Sequence, residues 1–244
     1  MSSNNTMVNS IADITNLSLC DVALERAISR TSSLPGMVCL YGPSGYGKSV
    51  AATCVANRRR AYYVQAKSVW TKKSTLTAIL REMGIAPLKS IAEMLDQAAE
   101  ELAQSGRPLI IDEMDHLVDK KAVELVRDLY ESSQAAILLI GEEQLPNKLK
   151  KYERFHGRVL AWVPAQPVTL DDAKKLTSIY AANVIIDDAL LQHVVDLSGG
   201  SVRRVVVNLE QIHEFADASG WEVVDLERWG TRNLYTGEAP KRRV

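Results

Sequence analysis

The stretch Gly42-Pro43-Ser44-Gly45-Tyr46-Gly47-Lys48-Ser49 constrains this chain more than any other. It matches G-x-x-x-x-G-K-[ST] at every fixed position, a pattern whose glycines let the backbone turn its N–H groups toward a phosphate chain. The flanks agree. Met37 to Tyr41 is a short apolar run that reads as a buried parallel strand, and Val50 to Ala56 continues without Gly or Pro as a helix. A helix N-terminus behind a glycine loop adds unsatisfied N–H groups and partial positive charge. In that setting Lys48 brings a full charge to the β- and γ-phosphates of a nucleotide, and Ser49 offers its hydroxyl to Mg²⁺. Gly42, Pro43, Ser44, Gly45, Tyr46, Gly47, Lys48 and Ser49 are therefore the expected ATP-binding residues.

A second chemical element is Pro108-Leu109-Ile110-Ile111-Asp112-Glu113, an apolar strand that ends in two carboxylates. Functional groups of a parallel sheet gather at the carboxyl ends of its strands, so this end and the glycine loop can meet. Asp112 is expected to hold Mg²⁺, mostly through water, and Glu113 to orient and polarise an attacking water. A glutamate directly after the aspartate favours water as the acceptor, hence hydrolysis. Asp115 and His116 follow on the next turn, where His116 reads as structural rather than as a general base.

Composition sets outer bounds. The 244 residues suit one large domain or a core with a small attachment, and 46% hydrophobic with 24% charged residues is ordinary for a soluble globular chain. No run approaches the roughly 18 apolar residues of a membrane span. Met1 to Ser10 is polar, is expected to be mobile, and lacks a signal peptide's basic and apolar regions. Cys20, Cys39 and Cys54 show no metal-ligand spacing, and the expected compartment is a reducing cytoplasm. A formal net charge of −1 advertises no global attraction to nucleic acid, so any such binding must come from local patches.

Along the chain, Asp21 to Arg30 reads as a helix that offers Val22, Leu24, Ala27 and Ile28 for packing. Ala61 to Ala66 is a second strand. Thr75 to Met83 is a helix closed by Gly84, and Ser90 to Gln104 another, with Ile91, Met94, Leu95, Ala98 and Leu102 as a core stripe. Lys121 to Ser132 is helical, and Ala135 to Gly141 is a fourth strand followed by Glu142 and Glu143. Pro146 begins a short basic helix carrying Lys148, Lys150, Lys151 and Arg154, before a fifth strand from Val159 to Val163. Five apolar strands alternating with helices predict a doubly wound α/β fold with a parallel sheet.

From about Pro167 no further buried strand is expected. Helices there begin at Asp171 or Asp172, at Asp187 or Asp188, at Ser201 and at Asp225. The third carries Arg203 and Arg204 in its first turn, against its own dipole, which suggests a role such as reaching a nucleotide phosphate. The predicted organisation is an N-terminal tail and helix over 1–33, an α/β core over 34–166, and a small helical region with the basic ending Lys241-Arg242-Arg243-Val244 over 167–244.

Lys67-Ser68-Val69-Trp70-Thr71-Lys72-Lys73-Ser74 places three lysines around one tryptophan. Two readings stand. Lys67, Lys72 and Lys73 with Trp70 and Thr71 contact a nucleic-acid backbone, or the segment is a solvated helix start with one packed aromatic.

Together these residues resemble the AAA+ ATPases. Within them, the chain is similar to the target-selection ATPases of DNA transposition, of the phage Mu B and TnsC kind. The resemblance spans roughly Leu34 to Ala216. It is carried by Gly42 to Ser49, by Ile110-Ile111-Asp112-Glu113-Met114-Asp115-His116-Leu117, by Tyr152-Glu153-Arg154-Phe155-His156-Gly157-Arg158, and by Gly200-Ser201-Val202-Arg203. It implies an ATP- and Mg²⁺-dependent homo-oligomer, a ring or helical filament. That oligomer would sit on double-stranded DNA with little sequence preference, in a bacterial host cytoplasm, and activate a transposase. By the same resemblance Arg203 is the sensor-2 arginine, Arg154 or Arg158 is the finger that enters a neighbour's site, and the Lys67 to Lys73 loop lies where relatives contact DNA. The family's sensor-1 asparagine position holds Glu142, which cannot donate to phosphate when ionised. The chain begins close to the glycine loop, so DNA binding is expected to rest on the ATPase core. A replication initiator or helicase loader of the same family, and a small-molecule P-loop kinase, are the alternative functions.

Overall fold

In a computed structural model that describes residues 11–238, a five-stranded parallel sheet is the centre of the α/β part of the chain. The first ten residues and the basic ending from Lys241 lie outside the described residues. The first elements are α1 (Thr15–Ile28), β1 (Met37–Tyr41), α2 (Lys48–Arg59), β2 (Tyr62–Gln65), α3 (Lys72–Glu82), α4 (Ile91–Ser105) and β3 (Leu109–Asp112). Then come α5 (Met114–Asp119), α6 (Val123–Ser133), β4 (Ile137–Gly141), α7 (Leu145–Leu149), α8 (Glu153–His156) and β5 (Val159–Pro164). The remainder holds α9 (Leu170–Tyr180), β6 (Ile185–Ile186), α10 (Asp188–Leu197), α11 (Val202–Ser219), β7 (Val223–Val224) and α12 (Leu226–Trp229).

The sheet order is β2-β3-β4-β1-β5, and every pairing is parallel. β3 and β4 are buried at every position and β1 at all but Tyr41, which is why these strands read as unbroken apolar runs. β5 is an edge strand and only half-buried, with Trp162 stacked on His156 at 5.2 Å between ring centroids. One face of the sheet packs Met37, Cys39, Ile111 and Leu139 under Leu76 and Leu80 of α3, Met94 and Leu102 of α4, and Val126 and Leu129 of α6. Each such side chain contributes about 1.5–3 kcal/mol when fully buried. All five carboxyl ends lie on one edge. There the Gly42 N–H donates to Gly141 O at 3.3 Å and the Ala66 N–H to Asp112 O at 2.9 Å.

Several expected boundaries move. α1 starts at Thr15, not Asp21, and buries Leu17, Cys20, Leu24 and Ala27. Val22 and Ile28 are 66% and 40% exposed instead of packed. Helix geometry places Val22 on the side away from the buried stripe of Leu17, Cys20, Leu24 and Ala27, and Arg59 of α2 pairs with Asp21 at 2.7 Å and Glu25 at 2.5 Å on the adjoining flank. Ile91, the first residue of α4, is likewise 42% exposed. The basic segment after Pro146 is two short helices. Leu149 in the first and Phe155 in the second are both fully buried, and residues six apart would lie about 120° apart round one unbroken helix.

Asn16–Gln166 form one compact unit; among the described residues, 11–15 and 167–238 form another. In the latter, α9, α10 and α11 bury Ala173, Leu176, Leu190, Leu191, Val194, Val205, Leu209 and Ile212. Thr169, rather than Asp171 or Asp172, caps α9, with Asp172 returning the bond to the Thr169 N–H. Asp187, Ser201 and Asp225 cap the next three helices. The small parallel pair β6–β7, whose Val224 is fully buried, was not expected. Two residues per strand are too few for a periodic signal.

Candidate active site

The glycine loop owes its shape to backbone freedom. Gly45 and Gly47 have φ of 84° and 80°, a region that glycine enters at no steric cost. A Cβ on Gly42 would stand 2.9 Å from the Ala165 Cβ, because the Ala165 N–H is tied to Tyr41 O at 2.7 Å. Gly47 then opens α2 without a side-chain cap, which leaves the first helical N–H groups for an anion. Lys48 Nζ folds along the loop and donates to Gly42 O at 2.7 Å and Pro43 O at 2.8 Å. Burial lowers the Lys48 pKa, against the opposing pull of Asp112, Glu113, Glu142 and Asp115.

Asn16, 2% exposed, fixes the back of this loop. Its Nδ2 donates to Tyr46 O at 2.9 Å and Gln166 O at 2.8 Å, and its Oδ1 accepts from the Gln166 N–H at 2.8 Å. Sequence reading missed it, since its partners are 30 and 150 residues away.

Across the edge, Asp112 is 2% exposed, and both its oxygens are held. Oδ1 accepts from the Glu113 N–H at 2.8 Å and Oδ2 from the Tyr63 hydroxyl at 2.9 Å. Burial and the Asp112 charge push the Tyr63 pKa up, so the phenol remains a donor. Glu113 sits at φ 55°, ψ 41°, a left-handed conformation that costs a non-glycine residue of order 1–3 kcal/mol and clusters at functional sites. Burial, then the charge of Asp112, raises its carboxyl pKa.

Asp115, read at first only as the next turn, is a buried strut. Its Oδ2 accepts from the Glu142 N–H at 2.7 Å, and its Oδ1 pairs with Lys148 Nζ at 2.9 Å. The arrangement needs Gly141, where a Cβ would collide with the Asp115 carboxylate. Glu142 itself is exposed.

The donor set suits Mg²⁺. Ser49 and Asp112 supply one hydroxyl and one carboxylate. Among the described residues no group of three or more His, Cys, Asp or Glu side chains could hold a metal alone. A small hard cation that keeps several waters and binds through one or two carboxylates plus substrate phosphates needs no more.

The structure thus brings Gly42 to Ser49, Asp112 and Glu113 to one sheet edge. The Lys67 to Lys73 segment leaves the same edge directly after Ala66. Lys67, Lys72 and Lys73 are exposed, while Trp70 packs partly against the core. Thr71 caps α3 through the Ser74 N–H, so its hydroxyl is already engaged. Arg158 lies at the opposite edge, where its carbonyl accepts from the Met37 N–H at 3.2 Å, a five-residue strand of about 16 Å from the glycine loop. Its guanidinium pairs with Glu131. Arg154 is exposed and, among the described residues, has no hydrogen-bond or ion-pair partner. Arg203 is exposed in the first turn of α11, in the other unit. Among the described residues no helix is long and apolar enough to cross a membrane.

Comparison with known proteins agrees with this geometry. Residues 30–149 match a family model described as an AAA domain. The cell division protein C of Sulfolobus acidocaldarius is 24% identical over 82% of this chain and 57% of its own length. The Aeropyrum pernix Orc1 protein, solved in complex with DNA, superposes with a TM-score of 0.60 at 20% identity, over 87% of this chain and 62% of that one. Domain III of the Thermotoga maritima replication initiation protein DnaA gives 0.56 at 18% identity, over 89% and 90%. The chain therefore spans less than two thirds of the first two relatives. The family match falls on the glycine loop and the Asp112–Glu113 strand, and this chain has the α/β fold of the AAA+ P-loop ATPases.

Proposed function

We propose that the chain hydrolyses ATP with Mg²⁺ and, in its ATP state, assembles as an oligomer on double-stranded DNA. The observation that carries the hydrolytic reading is Glu113, held in a strained conformation beside buried Asp112 at the edge that bears Lys48. Lys48 and the loop N–H groups bind and neutralise the phosphates. Ser49 and Asp112 hold Mg²⁺, which supplies charge neutralisation on the phosphates when bound. Glu113 orients water in line with the γ-phosphate. Arg203, exposed in the first turn of α11, is carried as the arginine that reads the nucleotide. Arg154, exposed and without an intrachain partner, is the better finger for a neighbouring protomer, whereas Arg158 is committed to Glu131.

Exposed Lys67, Lys72 and Lys73 support DNA binding, as does the likeness to an Orc1 protein solved with DNA. For the downstream task we carry target selection in DNA transposition, on Ile110 to Leu117 and Tyr152 to Arg158. Replication initiation is a second reading, favoured by the likeness to Orc1 and DnaA. Stimulation of strand transfer by a cognate transposase separates the two. The site is tested by paired variants. Lys48→Ala should abolish ATP binding in a fluorescent-nucleotide titration. Glu113→Gln should bind normally yet lose about 10²–10⁴ in turnover. Wild-type turnover by Glu113→Gln would end the assignment.

A further inference from the structure

We propose that Tyr63, on β2 and outside every recognised motif, is a positioning residue for the metal-binding carboxylate and sets the Mg²⁺ affinity of the nucleotide complex. The inference rests on the nucleotide site proposed above. Asp112 is almost wholly buried, and a carboxylate removed from water needs donors on its oxygens. It has two. The Glu113 backbone N–H fixes one oxygen at 2.8 Å, and the Tyr63 hydroxyl fixes the other at 2.9 Å. The first cannot be lost by substitution; the second is a single removable atom. Strand register makes the reach possible. Tyr63 pairs with Ile110 two residues before Asp112, and adjacent β2 and β3 place both side chains on the same face at i and i+2.

The Tyr63 hydroxyl thereby orients Asp112, one of the two protein groups assigned to Mg²⁺, from a strand that neither motif contains. Groups that orient metal ligands in this way typically change metal affinity 10–100-fold when removed.

The test uses the full chain and a fluorescent ATP analogue, with binding followed as Mg²⁺ is titrated from an EDTA-treated start. Tyr63→Phe deletes the hydroxyl and keeps the ring. The half-saturating Mg²⁺ concentration should rise about 10-fold or more, with metal-free nucleotide affinity unchanged. Tyr62→Phe is the control. It too loses a carboxylate bond, from Tyr62 OH to Glu101 at 2.6 Å, at a site remote from the glycine loop. Both variants should melt somewhat earlier, but only Tyr63→Phe should shift the Mg²⁺ midpoint. A Tyr63→Phe midpoint equal to wild type, or an equal shift in Tyr62→Phe, overturns the role of Tyr63 and leaves the nucleotide site intact. A wild-type protein whose nucleotide binding ignores Mg²⁺ overturns both.

Discussion

Glu113 concentrates what single residues contribute. A raised carboxyl pKa means the folded state binds its proton more tightly than the unfolded chain does. The stability this provides is complete below the ordinary glutamate range, about 4.3, and is lost as pH rises through the folded value. Ionised Glu113 is thus a cost to stability at neutral pH. Glu113→Gln should melt higher than wild type at pH 7, and the difference should vanish toward pH 4 in paired thermal scans; a lower melting point at pH 7 would contradict this. Gly141 offers a second residue-scale test. Gly141→Ala drives a methyl into the Asp115 carboxylate and should cost about 1–3 kcal/mol, read by denaturant titration. Legibility in the sequence divides along these lines. Lys48, Asp112 and Glu113 sit in contiguous patterns fixed by local backbone geometry. Asn16, Tyr63 and Asp115 act through partners 27 or more residues away, and no spacing rule reaches that far.

At the scale of elements, period and punctuation carried the reading where the environment is uniform. β1, β3 and β4 are buried on both faces, so an apolar run sufficed to find them. α4 announced itself through Ser90, a buried stripe and Gly106 at φ 64°. Elements whose bounds depend on tertiary packing were harder, as with α1, whose buried stripe starts at Leu17, or α7 and α8, which divide one basic segment with Leu149 and Phe155 both buried. The Lys67 to Lys73 segment joins both kinds: its hydroxyls serve the α3 cap, and its exposed lysines are the proposed DNA contacts. The two roles separate experimentally. Thr71→Ala removes the cap and should cost about 1 kcal/mol of stability without altering the salt dependence of DNA binding. Replacing Lys67, Lys72 and Lys73 with alanine should weaken binding and flatten the salt slope by about 1 per lysine. An unchanged slope would move the DNA surface to Lys150 and Lys151, since Lys148 is engaged by Asp115 and Asp119.

For the whole molecule, the position of Arg158 at the amino edge of the sheet, with Arg154 one short helix before it, leaves these arginines far from the glycine loop of their own subunit. On the proposed reading, a finger drawn from this segment would serve a neighbour, and hydrolysis would then require assembly. Loss of such an arginine costs about 10³–10⁵ in rate in other NTPases. Lys48→Ala and Arg154→Ala proteins, each inactive alone, should recover turnover when mixed on DNA, because some interfaces then hold one intact site and one intact finger. Co-assembled mixtures that stay inactive would place the finger elsewhere. Assembly itself is open to direct observation. Purified protein with linear duplex DNA and a slowly hydrolysed ATP analogue, viewed by electron microscopy, should form rings or filaments coating the DNA, while Lys48→Ala protein under the same conditions leaves the DNA bare. Monomers indifferent to DNA in the presence of bound nucleotide would contradict an ATP-dependent, DNA-assembling ATPase.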